Sequence, residues 1–396
     1  MNNFQYYTPT RVVFGKDTES QAGTLVSELG CKKVLIHFGG QSAIKSGLVD
    51  RVCGSLADKQ IPCVTLGGVV PNPLLSKVRE GIAVCKKEGV DFILAVGGGS
   101  VIDSAKAIAY GAVNEGDVWD YYAKTRVPTK ALPVGCVLTI SAAGSEMSDS
   151  SVITNDDGRI KRGCNNNMCR PKFAIMNPEL TFSVPAYQIA SGSVDIVMHT
   201  LERWFLSNEA DAELTDAIAA GLMRVVIKNS LILKKDPRNY NAAAEIMWAS
   251  SLSHNGLTGC GRIGGDFSAH QIGHELGGLF DVAHGASISA VWATWARYVY
   301  KALPVRFAEL GRDVFGLSYR DNPADTEKTA LVAIGKFEAY FKSLDMPVSI
   351  GDFGIKVTEE QIKDLAWKCS FFGKRKVGSF RPLDVSDLEN LYRLAK

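Results

Sequence analysis

A chain of 396 residues is too long for one ordinary core and points to two domains, and 46% apolar with 22% charged residues excludes the disordered and membrane classes. A formal net charge of +2, with no basic run of five or more residues, gives no electrostatic basis for binding nucleic acid, so the expected partner is a small molecule. The opening MNNFQYYTPTRVVFGK lacks a basic segment followed by an apolar one, and no apolar stretch reaches the ~20 residues of a membrane span, so a cytoplasmic protein without a membrane partner is expected. Nine cysteines (Cys31, Cys53, Cys63, Cys85, Cys136, Cys164, Cys169, Cys260 and Cys369) are odd in number and form no CxxC, which reads as reduced thiols. Cys164 and Cys169 lack the second thiol pair that a zinc knuckle needs.

From residue 33 to about 112, short β-branched runs alternate with helical patterns: KVLIHF, a segment from Ala43, IPCVTL, a helix from Leu74, DFILAV and a helix from Val101. That rhythm predicts βαβ units around a parallel sheet, because a crossover between parallel strands must be right-handed and helix-length. ALPVGCVLTI at 131–140 and KFAIMNP at 172–178 extend the sheet. From Pro185 onward the apolar residues follow helical spacing, as in Ile189, Val194, Val197, Leu201 and Phe205, and the second half reads as mostly helical. The boundary falls in NPELTFSV, where Asn and Pro interrupt regular structure, giving an α/β domain over 1–182 and a helical domain over 183–396.

Gly97-Gly98-Gly99-Ser100 follows the strand DFILAV and precedes the helical pattern VIDSAKAIA. Glycines at that place let backbone amides approach phosphate oxygens, while the positive end of the helix attracts the anion. A tight strand-to-helix turn uses the same letters, and the run is neither a Walker A loop nor GxGxxG, so a nucleotide kinase and an ordinary Rossmann enzyme both lose ground. A second turn, Gly39-Gly40-Gln41-Ser42, ends the first strand. A nucleotide site selective for NAD usually carries an acid near such a turn, yet none lies between Gly39 and Gly47, whereas Ser42 and Lys45 suit a 2′-phosphate. NADP(H) is therefore the expected cofactor, with NAD(H) remaining open, as does a plain flexible turn with a solvated lysine.

Four of the six histidines, all in the second half, fall into an arrangement with chemical meaning. Asp195 and His199 share one face of a helical pattern, His270 and His274 repeat that four-residue spacing, and His284 follows ten residues later. One carboxylate with three imidazoles makes a four-ligand set for one divalent metal, Fe2+ or Zn2+. Spacing does not say which three histidines are ligands. His37 and His254 have no such company and read as structural. A zincin is excluded, since Gln271 follows His270 where HExxH requires glutamate.

GGGSxxDxxK from Gly97 to Lys106, the Asp195/His199 pair, and HxxxH with a third histidine fourteen residues after the first together resemble the iron-containing alcohol dehydrogenases. The likeness extends to YYTPTRVVFG, the PNP at 71–73, TISAAGSEM at 139–147 and NPELTFSVP at 177–185; NGLTGCGRIGG at 255–265 and DVAHG at 281–285 point to the butanol-dehydrogenase-like branch. The resemblance implies a Rossmann-like dinucleotide-binding α/β domain, a helical metal-binding domain with the dehydroquinate-synthase type of architecture, a cleft between them and a homodimer. It implies Asp195, His199, His270 and His284 as metal ligands, with His274 beside the nicotinamide and substrate. Gly98, Gly99, Ser100 and Asp103 would meet the pyrophosphate and nicotinamide portions, Asn72 and Thr139 the ribose and phosphates, Lys161 the nicotinamide side, and Thr181 the adenine; Gly39, Gly40, Gln41 and Ser42 complete the expected cofactor set.

The chain departs from the family pattern in places. Ala143 stands where a second threonine is usual, so one hydroxyl contact to the cofactor is missing or is replaced by Ser141 or Ser145; Val70 replaces a common acid, and Gly273 replaces a side chain between the two histidines. The expected chemistry is reversible hydride transfer between a nicotinamide and a small aldehyde or primary alcohol of the butanal and butanol kind. The metal acts as Lewis acid and His274, or a water chain ending on the ribose, carries the proton. A glycerol-type dehydrogenase or another chemistry on the same fold, a non-catalytic metal- and nucleotide-binding sensor, and a metal-dependent hydrolase are the alternatives.

Overall fold

The computed structural model describes residues 1–396 except 206–210, 263 and 321, so Ile263 of the 255–265 motif lies outside the described residues. In chain order its first half runs β1 (Arg11–Phe14), α1 (Ala22–Glu28), β2 (Val34–Phe38), α2 (Ser42–Lys45), α3 (Leu48–Ala57), β3 (Cys63–Leu66), α4 (Leu75–Glu88), β4 (Phe92–Gly97), α5 (Gly99–Val113), α6 (Trp119–Tyr122), β5 (Val134–Leu138), β6 (Ser150–Asn155), β7 (Ile160–Asn165) and β8 (Phe173–Met176). The second half runs α7 (Ala186–Trp204), α8 (Glu213–Lys235), α9 (Tyr240–His254), α10 (Ser268–Phe280), α11 (His284–Val299), α12 (Pro304–Phe315), α13 (Pro323–Ser343), α14 (Glu359–Cys369) and α15 (Val385–Leu394).

Six strands form one parallel sheet in the order β1-β8-β5-β4-β2-β3. β2, β4 and β5 are buried along their whole length, which is why they read as unbroken apolar runs rather than alternating ones. On one face Val34, Ile36, Leu94 and Val96 meet Leu25 and Val26 of α1 and Leu48, Val52 and Leu56 of α3; each such side chain contributes about 1.5–3 kcal/mol on burial. The exception within β2 is His37, whose Nδ1 meets Leu66 O at 2.9 Å and whose Nε2 meets Ser104 Oγ at 2.9 Å. Burial pushes this imidazole down to about 4, so it is a neutral, fully bonded core residue, as its isolation in the sequence suggests.

An antiparallel hairpin, β6 with β7, was not foreseen. Its turn spans 156–159, where Gly158 (φ +71°) and Arg159 (φ +50°) take left-handed conformations. The Asp157-Gly158 pair in that turn is the signal that announces it.

The chain divides into Tyr7–Val184 and a second unit made of Pro185–Lys396 together with Met1–Tyr6. A boundary at 182/183 assigns the first six residues to the wrong side: Asn2 N donates to Gly261 O at 3.0 Å, which ties the opening residues to the helical unit. In that unit α7 is buried on every side from Ala190 to Glu202. α11 passes so near α7 that a Cβ at Gly285 would collide with the Ser191 carbonyl, and α10 passes so near α11 that one at Gly273 would sit 3.0 Å from Ser287 Oγ and 3.2 Å from Ile288 N. The side chain missing at position 273 is thus the condition for close helix packing. The nine cysteines are free, and no helix among the described residues is long and apolar enough to cross a membrane.

Candidate functional site

The glycine turn of the α/β unit joins β4 to α5, with Gly98 as N-cap. A Cβ on Gly98 would run into the Ile140 side chain, so that glycine is demanded by packing. Gly99 is different: a Cβ there meets nothing nearer than Ala143 Cβ at 4.0 Å, and the fold leaves the space above it open. The first amides of α5, which no helical carbonyl can satisfy, therefore border room for an anion.

Behind the turn, the other letters of GGGSxxDxxK act on the protein itself. Lys106, fully buried, donates from Nζ to the carbonyls of Ser145 (2.7 Å), Ser148 (3.0 Å) and Ser150 (2.7 Å). Asp103 accepts Ser145 Oγ–H at 2.6 Å on one oxygen and Val152 N–H at 2.9 Å on the other. Burial raises the Asp103 carboxyl against the opposing pull of Lys106. Together the two side chains pin the segment 145–152 to α5. Ser145 is consumed in that anchor, whereas Ser141 Oγ is buried with no hydrogen-bond partner, which makes it the available hydroxyl beside Ala143.

Other expected cofactor residues are brought together in pairs or stand singly. Lys161 Nζ donates to Asn72 Oδ1 at 2.9 Å, and Asn72 sits in a left-handed conformation (φ +55°) before Pro73. Thr139 N donates to Gly97 O at 3.1 Å, which sets the end of β5 beside the glycine turn. Thr181 is buried and donates its Oγ1–H to Pro178 O at 2.7 Å. Gly40, Gln41 and Ser42 are exposed and Gly39 half-buried at the end of β2, with open space around a Cβ at Gly40.

In the helical unit three imidazoles converge on one carboxylate oxygen. From Asp195 Oδ1, Nε2 of His270 lies at 3.4 Å, Nε2 of His199 at 3.5 Å and Nε2 of His284 at 3.7 Å. Donors held tetrahedrally at about 2.1 Å from a small cation stand about 3.4 Å from one another, so these separations fit a shared divalent ion and are too long for good hydrogen bonds. Asp195, His199 and His270 are buried and form the compact group; His284 joins at its half-exposed side, at the start of α11. Asp195 Oδ1 and His270 Nε2 are buried without a hydrogen-bond partner, a costly state for polar atoms unless a cation takes them up. His274, one turn along α10, stands 5.1 Å from the His284 ring and 6.2 Å from the His270 ring, centroid to centroid.

Electrostatics separates the buried rings. Burial holds His199 well below the usual histidine range, assisted by His254, His270, Arg203 and His284, so it is a neutral donor. Burial also lowers His270, but Glu202 and Asp195 outweigh it and push that ring up to about 9; a cation among the four donors would take the place of the extra proton.

Two residues near this cluster were missed or misread. Glu202, fully buried, accepts the His270 backbone N–H on Oε1 at 3.1 Å and meets His270 Nδ1 with Oε2. It lies seven residues after Asp195 and three after His199, so the face of α7 that carries that pair also carries it, and helical spacing could have found it. His254 was expected to stand apart. Instead its ring centroid lies 4.0 Å from that of His199, and its Nδ1 accepts from Arg203 Nη2 at 3.0 Å, because the end of α9 packs on α7. Asp266 adds a buried carboxylate before α10: it accepts from Ser268 N (2.9 Å), Ser379 N (2.9 Å) and Phe380 N (2.8 Å), while its own N–H donates to Glu202 O (2.9 Å).

Comparison with known proteins matches residues 9–178 to the family described as iron-containing alcohol dehydrogenase, and residues 189–396 to the C-terminal domain of the Fe-containing alcohol dehydrogenase family. The chain is 35% identical over 394 residues to NADH-dependent butanol dehydrogenase A of Clostridium acetobutylicum, covering 99% of each protein. It is 31% identical over 402 residues to the NADPH-dependent aldehyde reductase YqhD of Escherichia coli, covering 100% of each. Among solved structures it is similar to NADH-dependent butanol dehydrogenase A from Thermotoga maritima, with a TM-score of 0.95 and 37% identity over 100% of this chain and 99% of that one.

Proposed function

The chain belongs to the iron-containing alcohol dehydrogenase family, and we propose that within it this enzyme interconverts a broad range of small aldehydes of the butanal kind and their primary alcohols, with NADP(H) preferred over NAD(H). As a family member it is an NAD(P)-dependent, metal-containing alcohol dehydrogenase or aldehyde reductase. The observation that carries the reading is the convergence of three Nε2 atoms on Asp195 Oδ1 at tetrahedral spacing. On this reading Asp195, His199, His270 and His284 hold one divalent ion. When bound, the nicotinamide supplies or takes the hydride and the ion stabilises negative charge that develops on the substrate oxygen.

The remaining steps belong to the chain. Amides of Gly98, Gly99 and Ser100 hold the pyrophosphate at the positive end of α5, and Asp103 with Lys106 keeps the 145–152 segment in register beside it. Asn72 with Lys161, Thr139 with Ser141, and Thr181 orient the ribose, phosphate and adenine portions. His274 exchanges the proton with the substrate oxygen, since histidine titrates near neutral pH. The cofactor preference rests on Gly39, Gly40, Gln41 and Ser42: an exposed turn with a hydroxyl, a nearby Lys45 and no carboxylate to repel a 2′-phosphate. Relatives bear both NADH and NADPH in their names, so the letters of this turn decide the proposal.

The test is a steady-state panel of straight-chain aldehydes against both cofactors, on protein stripped of metal and reloaded with iron or zinc. Metal-dependent reduction of butanal with higher kcat/KM for NADPH is expected. Turnover that survives removal of the metal would overturn the reading of the cluster, and equal or NADH-favouring values would overturn the cofactor choice.

A further inference from the structure

We infer that Glu202 is a positioning residue of the metal centre: by accepting the proton on His270 Nδ1 it fixes the tautomer that turns the Nε2 lone pair toward the ion. The inference rests on the metal-dependent reading above and goes beyond its four ligands. A neutral imidazole carries one N–H and one lone pair, and a ring that ligates through Nε2 must keep its proton on Nδ1. Of the two His270 nitrogens, Nε2 faces Asp195 Oδ1 at 3.4 Å and Nδ1 faces Glu202 Oε2. An ionised carboxylate can only accept, so the Nδ1 proton has one place to go.

Glu202 is placed for this by two further bonds. Its Oε1 accepts the backbone N–H of His270, an amide in the first turn of α10 that no helical carbonyl reaches, and its own carbonyl accepts Asp266 N–H. The side chain therefore grips the same residue by backbone and ring, leaving the imidazole little freedom to rotate. Glu202 is fully buried, and among the described residues His270 is its only ion-pair partner within 4.0 Å. A divalent ion with Asp195 and three neutral imidazoles would carry one net positive charge, and the Glu202 carboxylate set against His270 opposes that charge in a medium of low dielectric, which favours retention of the ion.

Glu202→Gln separates this role from helix capping. The amide oxygen can still accept the His270 backbone N–H, but the NH2 group is a donor and drives the ring proton onto Nε2, the ligating atom. The probe is zinc or cobalt(II) alone, titrated into the metal-free protein against a chromogenic chelator, with the cobalt visible spectrum recorded for each form. Glu202→Gln should lose about 10–100-fold in metal affinity with an altered cobalt spectrum, in a metal-free form that keeps the parent's helical circular-dichroism spectrum. Asp266→Asn, which weakens the neighbouring cap of α10 without touching Nδ1, should lose far less. Equal affinity in Glu202→Gln and the parent, or equal losses in Glu202→Gln and Asp266→Asn, overturns the inference. A second measurement needs no variant: nitrogen-15 spectra of the zinc-loaded parent should show His270 protonated at Nδ1, and ligation through Nδ1 overturns it as well. If the parent binds neither metal, or binds it unchanged in His199→Ala, the metal centre itself falls and takes this inference with it; tight binding in the parent with no loss in Glu202→Gln removes Glu202 alone.

Discussion

The glycine turn at the head of α5 and the imidazole cluster of α7, α10 and α11 are built from opposite materials. At the turn the working groups are backbone amides, and the side chains that matter are those that are missing: Gly99 leaves open a space that the fold has no other use for. Its supports, Lys106 and Asp103, spend their charge on serine carbonyls, a serine hydroxyl and one amide that lie 39 to 49 residues further along the chain. At the cluster the working groups are side chains taken out of water, and the backbone matters because α10 and α11 pack closely enough to bring them together. Even the histidines divide in this way. His37, alone in the α/β unit, is neutral and satisfied by Leu66 and Ser104, whereas the five in the helical unit crowd around shared partners. A site made of absences tolerates little addition, and a site made of charges tolerates little subtraction.

Subtraction at the cluster should have the largest effect. Asp195→Ala, His270→Ala or His284→Ala should purify with little metal and lose at least ~1000-fold in turnover, given several kcal/mol of charge stabilisation and about 1.4 kcal/mol per tenfold. His274→Ala should retain the metal and lose about 100-fold, the scale of a general acid or base. Metal analysis beside steady-state rates checks both; a metal-free His274 variant together with a metal-replete His284 variant would reverse their roles.

The histidine contrast predicts a pH effect on stability. Folded, His37 stays neutral down to about pH 4, whereas in the unfolded chain it takes up a proton near pH 6.5. Between those values the unfolded state binds more protons, so stability fully present above pH 6.5 is lost as the pH falls toward 4, about 3 kcal/mol in all from this one group. Urea unfolding across that window, in the parent and in His37→Asn, should show a shallower pH slope in the variant. Identical slopes would mean that His37 titrates normally in the folded protein.

Addition at the glycine turn comes next. Gly99→Val should fold, because the space is open, yet weaken cofactor binding by about 10–100-fold, the cost of losing one or two charge-assisted amide contacts. Calorimetry showing unchanged cofactor affinity in a folded variant would detach the turn from the nucleotide. The smallest effect is expected at Gly40, where aspartate also meets no obstruction and should shift the kcat/KM ratio of NADPH to NADH about tenfold toward NADH. An unmoved ratio would mean that position 40 does not face the ribose.

How much of this was legible follows from where each signal lies. The parallel sheet could be read from 33 to 178 because buried strands write themselves as uninterrupted apolar runs, and the Asp195/His199 and His270/His274 pairs could be read because four-residue spacing on one helix is local. The β6–β7 hairpin was overlooked because its polar, half-exposed strands carry no such run. Glu202 was passed over as one more acid on a helix, since its partner lies 68 residues away, and His254 was read as solitary although α9 returns it to the side of His199. His254 required α7 to be seen as a shared wall rather than as a line of letters, whereas the spacing of Glu202 from Asp195 and His199 on one helix face was legible.

The placement of Met1–Tyr6 with the helical unit bears on how the chain comes off the ribosome. Asn2 is made before its partner Gly261, which emerges about 260 residues later, at a synthesis rate of about 5–20 residues per second. Once Val184 has emerged, residues 1–6, with Phe4 and Tyr6 exposed even in the finished protein, trail from a Tyr7–Val184 unit whose residues are all available to fold. Closure of the helical unit is thus a late event that reaches back to residues made before the sheet, and a bulky group attached next to Asn2 would compete at that last step rather than at the folding of the sheet.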